Sequence, residues 1–225
     1  MSRPVRASRP AAAPSRVIAP LTPDRWDDLV ALFGSQGACA GCWCMWMRRS
    51  PAAFRAGKGD GNRRALRALV RKAPPGLIAY DDGVPVGWVA VAPREAYTRL
   101  DRSRVLAPVP GDQVWAAPCF FVRAGHRGRG VHTALVAAAA EYARAQGAAS
   151  LEGYPNANSV ARQPAAFVFT GFESVFREAG FREVARRSPK RPIMRRTFAT
   201  RPASRAASAP ATRRPSRTRT GGPRG

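Results

Sequence analysis

With 225 residues, 45% of them hydrophobic, the chain is long enough for one domain with a buried core and too apolar to be a wholly disordered polymer. No apolar run is long enough to cross a membrane, and the basic N-terminus lacks the apolar stretch of a secretory signal, so the expected location is the cytoplasm. Of the formal net charge of +24, 11 charges lie at the ends and 13 in the body: residues 1–16 hold four arginines, residues 199–225 hold seven, and neither segment holds an acid.

That charge has two readings. It is either a footprint for nucleic acid or another polyanion, or a compositional bias towards Arg, Ala and Pro. The ends lack aromatics interleaved with the arginines, which favours composition. Both ends, 1–16 and 199–225, are expected to be disordered, leaving one domain over 17–198.

Val17-Ile18-Ala19 opens that domain as a short strand. Thr22-Pro23 is a helix start, and Trp26, Leu29, Val30 and Phe33 recur at helical spacing, so a helix is expected over 23–33. Residues 38–48 form an aromatic and sulfur-rich patch without a clean period. Cys39, Cys42 and Cys44 fall within it, but no second half completes a four-ligand zinc site, and no metal is expected. After a glycine break at 57–61, residues 62–72 give a second helix.

Two apolar runs, 76–80 and 84–92, flank Asp81-Asp82-Gly83 and read as a hairpin. A short helix is expected within 94–106. Residues 114–122 are a longer strand in which Pro118 marks a bulge or an edge. A helix follows over 130–146, then a strand at 150–153, a helix at 171–179 closed by Gly180, and strands at 181–187 and 192–198. The order predicts an α/β protein with a mixed sheet.

The segment joining the strand at 114–122 to its helix is Arg123-Ala124-Gly125-His126-Arg127-Gly128-Arg129-Gly130. Strand, glycine turn and helix start direct backbone N–H groups at one point, which suits a phosphate. A Walker loop needs Lys-Ser/Thr after its last glycine, and none is present. A dinucleotide fingerprint needs a glycine where Thr133 stands.

Arg127-x-x-Gly130 at this junction resembles motif A of the GNAT superfamily of acetyl-CoA-dependent N-acetyltransferases. Phe176-Arg177-Glu178-Ala179-Gly180-Phe181 is similar to the family's closing Tyr-x-x-x-Gly-Phe. The resemblance covers roughly residues 17–198 and implies a mostly antiparallel central sheet flanked by helices, with acetyl-CoA as co-substrate. It places the pyrophosphate on Arg127, Gly128, Arg129, Gly130, Val131 and His132. The pantetheine arm then lies along Phe120, Phe121 and Val122. Two positions depart from the pattern: His132 replaces a small residue, and Phe176 replaces the tyrosine that often reprotonates the thiolate.

Acetyl transfer requires an unprotonated amine beside the thioester and a route for its proton. Glu152 and Tyr154, on one face of the strand after the motif A helix, are the expected proton-handling residues. Trp43, Cys44 and Trp46 are expected to line the acceptor site. The expected acceptor is a primary amine of a small molecule. Two alternatives stand beside it, a protein acetyltransferase acting on lysine or an N-terminus, and a catalytically weak module binding CoA or nucleic acid. A homodimer is compatible with all three.

Overall fold

The computed structural model describes residues 15–158 and 169–199. The expected tails, apart from residues 15, 16 and 199, lie outside the described residues. Seven strands form one sheet in the order β1-β2-β3-β4-β5-β7-β6: β1 Arg16–Pro20, β2 Gly76–Asp81, β3 Val84–Pro93, β4 Val114–Val122, β5 Ser150–Gly153, β6 Arg182–Ala185 and β7 Ile193–Thr197. Every pairing is antiparallel except β4 with β5. The helices are α1 Trp26–Phe33, α2 Pro51–Ala56, α3 Asp60–Val70, α4 Thr98–Asp101, α5 Val131–Ala145 and α6 Glu173–Glu178.

The sheet divides two apolar clusters, because side chains alternate between its faces. On one face Val86, Val89 and Phe120 meet Val131, Leu135 and Ala139 of α5 and Phe176 of α6. On the other Ile78, Trp88 and Ala116 meet Leu29 and Phe33 of α1, the patch residues Trp43 and Met45, and Leu66 of α3. Gly87 sets how closely α5 approaches the sheet: a Cβ there would lie 2.7 Å from Val131 Cγ1 and 3.0 Å from Leu135 Cδ1. Gly87→Val is therefore expected to lower stability by about 1–3 kcal/mol through overpacking, read as a lower midpoint in urea.

Several expectations need adjustment. Arg16, counted with the basic extension, is the first residue of β1. Residues 51–56, unassigned from sequence, form α2, started by Pro51 and capped by the Ser50 hydroxyl, which accepts from the Ala53 N–H. Gly61 lies inside α3, so the glycine break ends earlier than expected. Pro118 marks a bulge and not an edge: Ala90 faces Cys119 and Ala92 faces Ala116, so Ala117 and Pro118 oppose the single residue Val91.

The bulge has a consequence for the sheet. Beside β5, β4 pairs only over Val114–Ala117 with Ser150–Gly153. β4 then runs on to Val122 while the chain leaves β5 at Tyr154-Pro155. A wedge opens between the two strands, with the glycine turn and the start of α5 at its mouth.

Candidate active site

The turn is built to present backbone. Gly128 and Gly130 adopt φ of +73° and +75°, in the left-handed region that a side chain makes costly. Gly130 is the N-cap of α5 and supplies no capping side chain. The first N–H groups of a helix have no intrahelical acceptor, so those of Val131, His132 and Thr133 remain available for an anion. The side chain of Val131 is buried, so only its backbone can serve. Arg127, Gly128, Arg129 and Gly130 are exposed.

Side chains fix the turn from below. Arg127 Nε donates to the carbonyl of Val122 at 3.1 Å, folding the turn back over the strand end. Arg16 makes two bonds to Asp81, at 2.7 and 3.0 Å, and a third to the Arg129 carbonyl at 3.1 Å. His126 Nδ1 lies 3.4 Å from the same Asp81 carboxylate. The hydrogen bond from Arg16 holds the Asp81 carboxyl below the usual carboxylate range. A carboxyl with a lowered folded pKa contributes stability above its unfolded value, near 3.9, and loses it as pH falls through the lower folded value. Asp81→Asn is expected to cost about 1–3 kcal/mol at pH 7, and its difference from wild type in thermal midpoint should shrink at pH 3.

His132 resolves one departure from the motif. Its ring turns inward, 4.6 Å from the Phe120 ring and 6.3 Å from that of Phe176. The space it needs comes from Gly171, where a Cβ would lie 2.3 Å from the imidazole. Burial lowers its pKa to about 4, so the ring is neutral at pH 7. Stability is then expected to fall as pH drops from about 6.5 towards 4, because the unfolded chain takes up the proton first. His132→Phe should remove that slope in a series of midpoints across this range. Phe176 is fully buried against the same group and against Gly153.

Arg123 N–H donates to Val86 on β3 at 2.9 Å. By strand alternation, the N–H and C=O groups of Phe120 and Val122 point the other way, into the wedge. The N–H of Phe120 already donates to the Phe169 carbonyl at 2.6 Å. The strand edge is therefore not wholly open: the segment 169–171 lies against it and Arg127 occupies the Val122 carbonyl, so the Val122 N–H is what the edge offers nearest the turn.

The turn fits a pyrophosphate, and the Val122 N–H fits one carbonyl of an amide chain. His132 Nε2, buried and without a hydrogen-bond partner among the described residues, adds a polar atom beside the wedge.

Glu152 and Tyr154 do come together. The Tyr154 hydroxyl donates to Glu152 Oε2 at 2.7 Å. The carboxylate also receives Arg195 at 2.6 Å and faces Arg94 Nε at 3.4 Å. Arg94 in turn pairs with Asp101. Burial and the facing carboxylate push the Tyr154 hydroxyl well above its ordinary pKa. Both side chains are buried, Glu152 at 1% exposure and Tyr154 at 0%. Nothing in the sequence marked Arg94 and Arg195 as their partners.

The acceptor-side residues divide. Trp43 is buried, stacked 6.2 Å from Trp26, with Arg63 over its ring at 5.3 Å. Cys44 is buried beside Trp88 and Cys119. Trp46 is 40% exposed and packs instead on Phe54, with Arg99 over its ring at 3.6 Å. The loop is pinned by Asn62 of α3, buried and donating to the Gly41 carbonyl at 3.1 Å. A hollow of about 220 Å³ lies at the end of α1, lined by Ala31, Gly34, Trp43, Asp60 and Arg63 among others. It is tied to the end of β4 by Arg123, which donates to the Ala31 carbonyl at 3.0 Å.

Among the described residues no helix is long and apolar enough to cross a membrane, and no group of three or more His, Cys, Asp or Glu is placed to hold a metal. No functionally curated protein matches the sequence. Similar solved structures include the PaiA N-acetyltransferase of Thermoplasma acidophilum in complex with coenzyme A, at 13% identity over 82% of this chain and 99% of that one, with a TM-score of 0.47. Another is YncA, a putative acetyltransferase of Salmonella typhimurium with acetyl-CoA, at 14% identity over 85% and 98%, TM-score 0.46. A third is a GCN5-related N-acetyltransferase of Kribbella flavida, at 20% identity over 81% and 98%, TM-score 0.46. The model of the acetyltransferase (GNAT) family matches residues 35–163, more than half of the chain and the whole of the strand, turn and helix described above. The chain belongs to the GNAT family and is an N-acetyltransferase that uses acetyl-CoA.

Proposed function

We propose that the acetyl acceptor is a primary amine of a small molecule that also carries an anionic or aromatic part. The observation that supports this is the hollow at the end of α1. Its volume of about 220 Å³ leaves room for a small amine. Its lining offers the Asp60 carboxylate for an ammonium group, the Arg63 guanidinium for an anion and the Trp43 ring for an apolar body.

Acetyl-CoA supplies the activated acyl group as a thioester. In this proposal the backbone N–H groups of residues 128–132 hold its pyrophosphate, with Arg127 and Arg129 adding charge nearby. Val122 and the neighbouring edge of β4 align the pantetheine arm. A backbone N–H at that edge polarises the thioester carbonyl. Glu152 and Tyr154 act as a positioning pair: the carboxylate is already engaged by two arginines and a hydroxyl, which fixes the junction of β4 and β5. The amine loses its proton to water at the wedge mouth. Phe176 has no proton to give, so the thiolate leaves by the same solvent route.

A panel of small amines, assayed by release of the CoA thiol, tests the acceptor. Amines bearing a carboxylate, phosphate or aromatic group should give turnover, and Arg63→Ala should raise KM for the anionic ones. Turnover on acidic proteins or peptides, with none on the small amines, would overturn the proposal in favour of a protein acceptor. That second reading draws on the exposed Arg64 and Arg67 of α3, which border a neighbouring hollow with Asp60 and Arg63.

A further inference from the structure

The cysteines of the patch have no part in the chemistry above, yet one of their sulfurs is held in a specific place. Cys44 Sγ lies 3.5 Å from Cys119 Sγ, across 75 positions of sequence, and accepts the Trp88 indole N–H at 2.8 Å. The loop adopts left-handed backbone at Trp43 and Cys44, with φ of +43° and +54°. Such conformations are costly for these residues and persist only where the surroundings hold them. Here they turn the thiol of Cys44 down onto the sheet. Cys119 sits in the bulged part of β4, next to Phe120 and the wedge.

We propose that Cys44 and Cys119 are a modification site, a dithiol that a hydroperoxide converts to a reversible disulfide. Their sulfurs need to close by only about 1.5 Å to reach bonding distance. Cys39 and Cys42 make no such contact: Cys42 Sγ is directed to the Gly37 carbonyl at 3.3 Å, and Cys39 is exposed.

The two thiols are unequal in a way that suits this chemistry. The contact with Cys119 holds the Cys44 thiol below its ordinary pKa, aided by the Trp88 indole and the nearby Arg48. The same contact, with burial, pushes Cys119 well up. Cys42 is pushed up to about 12 by burial, which leaves it a poor nucleophile. The indole N–H held on Cys44 Sγ stabilises a thiolate there and has no counterpart on Cys119, so Cys44 is the attacking sulfur and Cys119 the resolving one. Cys44 is buried and Cys119 is the less buried of the two residues, so a small hydroperoxide is the oxidant that suits the pair.

In the first step the Cys44 thiolate attacks one peroxide oxygen and the O–O bond breaks. Hydroxide leaves and takes a proton, giving water and a sulfenic acid on Cys44. In the second step Cys119 attacks that sulfur. The S–O bond breaks, and a second water leaves with the Cys119 proton. Two thiols are oxidised by two electrons in all, and one hydrogen peroxide is reduced to two waters. The product ties the acceptor-side loop covalently to β4.

The test needs no acceptor substrate. Residues 26–47 contain no Lys or Arg, so Cys39, Cys42 and Cys44 share one tryptic peptide. The full-length Cys39→Ser/Cys42→Ser variant, treated with hydrogen peroxide, should yield a single linked peptide pair joining Cys44 to Cys119. Both thiols should become inaccessible to alkylation after denaturation and return with dithiothreitol. In the wild type, the same treatment should block two of four thiols. Cys119→Ala should abolish the link and leave Cys44 as a trappable sulfenic acid. A Cys39–Cys42 link in the wild type, or unlinked Cys44 and Cys119 peptides after oxidation in the folded double variant, would overturn the proposal. Circular dichroism of each variant before oxidation establishes that the fold is intact.

Discussion

Gly130→Val should remove acetyl-CoA binding. Gly130 stands at a φ of +75° and caps α5. A β-branched residue there is strained by on the order of 1–3 kcal/mol. The chain can relieve that strain by rotating the turn, which withdraws the N–H groups of Val131 and His132 from the point where they converge. Strain and lost contacts together predict a fall in affinity of about 100-fold or more, since each 1.4 kcal/mol is tenfold. Gly130→Ala should lose less, about tenfold, because its Cβ meets nothing closer than the Arg16 guanidinium at 3.7 Å. Isothermal titration with acetyl-CoA reads both. Unchanged affinity in the valine variant would mean that the pyrophosphate does not rest on this turn.

Glu152→Ala should be the most destabilising single change near the site. The carboxylate is buried between Arg195 and Arg94 and accepts from Tyr154. Removing it leaves Arg195, only 10% exposed at the side chain, without a carboxylate partner among the described residues, and leaves Arg94 with Asp101 alone. Breaking a buried pair on one side costs about 3–5 kcal/mol. For a domain of this size that is a fall in thermal midpoint on the order of 10 °C. Glu152→Gln keeps the shape and some hydrogen bonds and should lose less. The pH profile of kcat in Glu152→Gln separates a base from a positioning residue. An unchanged profile with reduced kcat fits positioning; loss of a basic limb would make Glu152 the base.

The two predictions probe different depths of the same feature. The turn is exposed and acts through backbone, so its substitution should change binding more than stability. Glu152 is interior and acts through charge, so its loss should change stability first. A variant series that reversed this order would contradict the division of labour derived from burial.

The motif A turn was legible from sequence because its physics is local. A strand, glycines at the left-handed positions and a helix start follow each other without interruption, and no distant residue is needed to form them. The same holds for the hairpin at Asp81-Asp82-Gly83 and for α5, whose apolar stripe repeats at helical spacing. Periodicity and turn chemistry are properties of neighbours, and neighbours are what a sequence lists.

Other parts depended on contacts across the chain. That Arg16 would lie beneath the turn requires β1 to pair with β2, which brings it to Asp81 over 65 positions. That His132 would turn inward depended on Gly171, 39 positions on, having no side chain. Glu152 and Tyr154 share a strand face by simple alternation, but the two arginines that saturate the carboxylate come from other elements. The sequence showed Cys44 as one of three cysteines in a patch; only tertiary packing placed it against Cys119 and singled it out. The sequence alone thus determined the backbone cradle and the family's fold. Tertiary structure decided which side chains are buried, paired and charged around it, because those properties belong to whatever residue packs opposite.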